Sequence, residues 1–100
     1  MIVVMNVVTV AGDRAEDFEE AFLTRERLLA QAEGFAGFEL LKRDRGGEYV
    51  VLTRWESRND FRAWVQSDLF KRSHSRRDEG SLAQSNELRN YEVLDAEVPA

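Results

Sequence analysis

Residues 2–10 read Ile-Val-Val-Met-Asn-Val-Val-Thr-Val, an almost unbroken apolar and β-branched run. Such a run fits a pleated strand. Side chains alternate across a strand, so Ile2, Val4, Val8 and Val10 share one face while Val3, Met5 and Val7 share the other. Both faces are apolar. A later run repeats the pattern, with Tyr49, Val51 and Trp55 against Val50 and Leu52. Helices can cover only one face of a sheet made from such strands. A second copy of the same sheet is the simplest cover for the other face. Asn6 breaks the run: it is a poor strand former, and its amide needs hydrogen-bond partners if buried.

The remaining elements follow in order. Asp13 with Glu16 forms a capping-box pattern, and Phe18, Ala21, Phe22, Leu28, Leu29 and Ala32 keep helical spacing up to Gly34. Acidic residues crowd the first turn, where the helix dipole favours them. Residues 35–43 and 48–56 form two strands joined through Asp44-Arg45-Gly46-Gly47, a hairpin turn. Ser57 with Asp60 opens a second helix carrying Phe61, Trp64 and Val65. Ser67 caps again, so Asp68 to about Arg77 forms a separate short helix. Residues 78–86 are polar and loop-like, and 87–95 form the last strand with Leu88, Tyr91, Val93 and Leu94. The order is βαββαβ with one extra short helix. Right-handed crossovers then give a ferredoxin-like α+β fold, a four-stranded antiparallel sheet with helices on one face. Residues 1–100 make one domain.

Composition bounds the function. The chain has no cysteine, hence no disulfide framework, no thiolate zinc site and no cysteine nucleophile. That fits a cytoplasmic protein. No apolar run approaches the roughly 18 residues of a membrane span, and Met-Ile-Val-Val-Met lacks the basic n-region of a signal peptide. The net charge of -5 argues against nucleic acid, which needs a concentrated basic surface. A local cluster of Lys71, Arg72, Arg76 and Arg77 suits a small anionic ligand better. There is no glycine-rich phosphate loop, no HExxH motif and no Gly-x-Ser-x-Gly elbow.

His74 is the only histidine. One imidazole is too little for zinc, which takes three or four protein ligands. Haem needs only an axial ligand, because the porphyrin supplies four nitrogens. Read alone, His74 is equally a surface residue, Asn6 a satisfied core amide, and Trp64 and Trp55 core packing. Phe70 lies one helical turn before His74 and can line a porphyrin. Trp64 and His74 are ten residues apart. On one unbroken helix they would stand about 15 Å apart in height, and the break at Ser67 lets both converge on one pocket. Arg25 falls on the inward side of the first helix, between Phe22 and Leu29, where a cation calls for a carboxylate or a bound anion.

Asn6, Trp64 and His74, in that order and with that interval, resemble the IsdG-type haem-degrading monooxygenases of the antibiotic-biosynthesis-monooxygenase group. Thr24-Arg25 and Glu33-Gly34-Phe35-Ala36-Gly37 resemble the wider group. The resemblance implies a homodimeric α+β barrel and a haem oxygenase that opens the porphyrin ring and releases iron. Haem would be both substrate and activator of dioxygen, and an external electron donor would be required. His74 would be the iron ligand, Asn6 a donor to the reacting oxygen on the distal side, and Trp64 a wall that distorts the ring. Arg25, Phe70 and Arg77 would hold the haem, with Arg72 and Arg76 as further partners for its propionates. Two other readings stand beside it: a cofactor-independent quinol or polyketide monooxygenase on the same fold, and a haem-binding dimer without turnover.

Overall fold

The computed structural model describes residues 1–73 and 83–99. The strands are β1 (Ile2–Val10), β2 (Phe35–Lys42), β3 (Glu48–Trp55) and β4 (Ala83–Glu92), and the helices are α1 (Ala15–Leu23), α2 (Arg58–Val65) and α3 (Asp68–Ser73). They form one sheet of order β2-β3-β1-β4, with every neighbouring pair antiparallel. This is the ferredoxin-like βαββαβ arrangement expected from the sequence. Among the described residues, no helix is long and apolar enough to cross a membrane.

Alternation along β1 builds two separate cores on its helix-facing side. Ile2 and Val4 pack with Leu28, Trp55 and Trp64, and Trp55 is wholly buried. Val8 and Val10 pack with Phe18 and Tyr49. Burying each such side chain contributes roughly 2 kcal/mol. Asn6 sits on the same face between the two clusters, so the core divides where the polar residue stands.

The second cluster is pinned by a polar chain. The Tyr49 hydroxyl donates to Glu19 Oε2 on α1 at 2.5 Å, and Lys42 on β2 pairs with the same oxygen at 2.8 Å. Burial pushes the Tyr49 phenol up to about 12, with the Glu19 carboxylate adding to the rise. The bonds from Lys42 and then Tyr49 hold the Glu19 carboxyl below its ordinary value.

Two serines cap as expected. Ser57 Oγ accepts from the Asp60 N–H at 3.1 Å at the start of α2. Ser67 Oγ donates to the Trp64 carbonyl at 2.6 Å and accepts from the Phe70 N–H at 3.1 Å. Ser67 therefore closes α2 and opens α3, and the chain changes direction between Trp64 and Phe70.

Three boundaries differ from the sequence reading. The first helix ends at Leu23 rather than near Ala32, because Thr24 Oγ1 turns back to the Glu20 carbonyl at 2.8 Å and Arg25 Nη1 takes the Phe22 carbonyl at 2.6 Å. Leu28 is buried from the irregular stretch that follows, so its helical spacing reflects packing and not a continued helix. At the other end a 3-10 turn over Gly12–Arg14 precedes α1, whose N-cap is Arg14 without a side-chain bond. Asp13 thus falls inside that turn and the capping box is not used. The last strand begins at Ala83 and ends at Glu92, earlier than 87–95. Pairing with β1 sets its extent, while the apolar Leu94 beyond it is 90% exposed.

Gly34 makes the turn into β2 with φ 77°, and a Cβ there would fall 2.2 Å from the Asp60 side chain. Both the backbone and the neighbour oppose a side chain. Gly34→Ala is expected to cost about 2 kcal/mol, lowering Tm by roughly 10 °C in a domain this small. A thermal melt within about 2 °C of wild type would show that α2 moves aside without penalty.

The second sheet face has an apolar centre. Leu41, Val50 and Val7 fall in one cross-strand row, Leu52 and Met5 in the next, and Val3 beside Tyr91 in the third. Charged residues flank them, including the Arg54–Glu39 pair at 2.8 Å and the Arg89–Glu87 pair at 2.5 Å. None of the described helices contributes to this face, since their buried residues all join the clusters on the other.

Candidate active site

The gap between the two cores is a cavity of about 760 Å³, within the usual size of small-molecule sites. Its floor is the sheet. Cross-strand register puts Leu40, Val51, Asn6 and Leu88 in one row, with Phe38 and Thr53 in the row beside it. Asn6 is therefore flanked by apolar side chains in both strand neighbours, and by Val4 and Val8 along its own strand. It is half-buried, and its Oδ1 accepts a hydrogen bond from Asn86 Nδ2 at 3.2 Å. None of the described residues accepts from Asn6 Nδ2, so that NH2 group remains available to a ligand in the cavity.

One wall is aromatic. Trp64, only 7% exposed, stands with its ring centre 6.2 Å from Trp55 behind it and 5.8 Å from Phe70 beside it, the latter edge-to-face at 89°. Trp55 backs Trp64, and its own Nε1–H is satisfied by Thr53 Oγ1 at 2.9 Å. Trp64 is thus both a core residue and a cavity wall. Its position is fixed from behind, so a ligand pressing on it meets a rigid surface.

Another part of the lining comes from the stretch after α1. Arg25 lines the cavity, with its guanidinium carbon 4.2 Å from the Phe38 ring centre and 5.5 Å from that of Phe22. The sequence called for a carboxylate or an anion beside this cation. A backbone carbonyl and two ring faces are among its partners. Arg72 on α3 pairs with Glu26, the residue after Arg25, at 2.5 Å, tying α3 to the stretch after α1. Both residues are substantially exposed, and an ion pair of this kind contributes about 0–1 kcal/mol.

Asn6, Trp64, Arg25 and Phe70 therefore share one cavity, although they come from a strand, two helices and the stretch after α1. His74 and Arg77 lie outside the described residues, as does Arg76. The last described residue of α3 is Ser73, immediately before His74. Among the described residues, no group of three or more His, Cys, Asp or Glu side chains could hold a metal ion.

Sequence reasoning missed Asn86, Glu26 and Thr53. Asn86 falls in a stretch read as loop, and only the register of β4 on β1 brings it beside Asn6. Thr53 was available from the alternation of β3, which puts it on the same face as Val51 and Trp55.

Known proteins resemble this chain in sequence and in fold. The family model of the antibiotic biosynthesis monooxygenases matches residues 1–76. A haem oxygenase (staphylobilin-producing) of Staphylococcus haemolyticus is 37% identical, over 98% of this chain and 95% of its own length. A haem-degrading monooxygenase of Listeria welshimeri is 34% identical, over 99% and 96%. Among solved structures, the haem degrader MhuD of Mycobacterium tuberculosis, with two haems bound in its active site, superposes with a TM-score of 0.84 at 26% identity. That match covers 98% of this chain and 100% of MhuD.

Proposed function

The chain belongs to the antibiotic biosynthesis monooxygenase family, and on that premise we propose that it is a haem-degrading monooxygenase, a haem oxygenase that cleaves the porphyrin ring and releases iron. The observation that carries the proposal is the Asn6 amide, opening onto a cavity walled by Trp64 and Phe70. The relatives named above, which align over nearly their whole length, are haem-degrading enzymes.

The residues present fit haem. A broad apolar cavity with ring faces suits a flat macrocycle, and Arg25 and Arg72 offer charge-assisted bonds to its two carboxylates. Arg77 would be a further partner for these groups, and His74 would hold the iron. When bound, haem is the substrate and also supplies the activation of dioxygen, with electrons from an external donor. The protein's share is positioning. Asn6 Nδ2 would donate a hydrogen bond to the reacting ligand, Trp64 would press on the face of the macrocycle, and the apolar walls would exclude water. Such preorganised donors act most strongly where solvent is absent.

We further propose that this one domain works in the cytoplasm as a homodimer, with the two helix-free sheet faces packed together as an α+β barrel. Support comes from the rows of Leu41, Val50, Val7, Leu52 and Met5, which lack a helix to cover them. Light scattering in dilute buffer is expected to give twice the chain mass. A stable monomer of 11.5 kDa would remove the argument from the double-sided strand.

Titration of the apoprotein with haemin tests the ligand. A saturable Soret band with the spectrum of histidine-ligated, five-coordinate iron is expected. Absence of saturable binding would favour the cofactor-independent oxygenase on the same fold.

A further inference from the structure

The two ends of the Asn6 side chain are chemically opposite, an acceptor oxygen and a donor NH2. Which end meets the cavity decides what the residue can do there. Of the neighbours on its face, Val4, Val8, Val51 and Leu88 cannot hydrogen-bond, and the diagonal Thr53 has its hydroxyl oxygen taken by Trp55 Nε1. Among the described residues the polar contact of the Asn6 amide is Asn86, whose Nδ2 donates to Asn6 Oδ1 at 3.2 Å. Asn86 pairs with Val8 in the register, one diagonal step from Asn6, within reach of two short amides. With Oδ1 engaged on that side, Nδ2 is the end left for a ligand.

We infer that Asn86 is a positioning residue, which fixes the Asn6 amide so that a donor and not an acceptor faces the bound ligand. The identity of the ligand rests on the haem reading above, whereas the orientation of the amide does not. Asn90 supplies an internal control. It occupies the other diagonal from Asn6, on the same strand and face, and makes no bond to it.

The substitutions separate orientation from mere presence. Asn86→Asp is nearly isosteric, but its carboxylate only accepts. It therefore pairs with Asn6 Nδ2, turns the amide over, and presents Oδ1 to the cavity. Asn86→Ala leaves the amide unfixed, and Asn90→Asp adds the same charge without touching Asn6.

The first measurement uses apoprotein. In wild type the Asn6 side-chain NH2 resonances should resemble those of an amide whose protons bond only to water. In Asn86→Asp one of these protons should move downfield and titrate with the new carboxylate, while Asn90→Asp leaves both in place. The second measurement is cyanide affinity of the haemin-loaded protein, an anion whose binding a distal donor strengthens. A bond of this kind is exposed to water and modest in strength, so Asn86→Ala should weaken cyanide about threefold and Asn86→Asp about tenfold, with Asn90→Asp within about twofold. Haemin affinity should be unchanged throughout. Equal losses for Asn86→Asp and Asn90→Asp, or an Asn6 NH2 bonded to Asn86 in wild-type apoprotein, would overturn the assignment. Failure of wild type to bind haemin would instead count against the haem reading, and the apoprotein spectra would still decide the role of Asn86.

Discussion

Asn6→Ala is expected to keep haemin affinity within about tenfold of wild type, or about 1.4 kcal/mol. The rate of haem degradation should fall roughly a hundredfold or more. The contrast follows from where the amide stands. Asn6 contributes one polar group to a cavity whose remaining walls are chiefly rings and aliphatic side chains, so its loss leaves the apolar binding surface almost intact. Its donor acts only on charge that develops during reaction. The helix-facing clusters on either side of Asn6 do not depend on it, so the variant should fold. Single-turnover loss of the Soret band under ascorbate, at saturating protein, measures the rate. Turnover at the wild-type rate would make Asn6 an ordinary amide paired with Asn86. Trp64→Phe should be milder, because Trp55 and Phe70 still back an aromatic wall.

His74→Ala is expected to abolish or greatly weaken five-coordinate haem binding while leaving the fold intact. The sequence around it, Lys71-Arg72-Ser73-His74-Ser75-Arg76-Arg77, is polar, and substitution in such a segment usually changes stability by no more than about 0.5 kcal/mol. No second histidine exists to take over. Excess imidazole should restore the axial bond in the variant, which separates lost ligation from lost structure. An unchanged Soret spectrum in His74→Ala would remove this residue as the ligand and turn attention to a tyrosine.

Much of this arrangement was legible in the residues. Period-2 alternation gave the sheet faces, and Ser57 and Ser67 gave both helix starts, because a cap is a local bond between neighbours. The meeting of Asn6 and Trp64 in one cavity was implied by the family resemblance and not by either of these patterns. The length of the first helix was not legible. Leu28 and Leu29 keep helical spacing, yet the Thr24 and Arg25 side chains capture the last carbonyls and end α1 at Leu23. Arg25 was placed correctly toward the cavity but on the wrong element. Asn86 was missed because its importance lies in register, which depends on a strand 80 residues away in sequence. The start of β4 escaped for the same reason: polar residues at an edge strand carry no hydrophobic signal.

The central claim is that this protein destroys the haem it binds. The direct measurement mixes the apoprotein with one equivalent of haemin in air, adds ascorbate, and follows the Soret band and free iron together. The expected result is loss of the band with release of about one iron per haem to a ferrous chelator, unchanged by catalase. A band that persists under reductant and oxygen, or whose loss catalase abolishes, would contradict the account and leave a haem-binding protein without turnover.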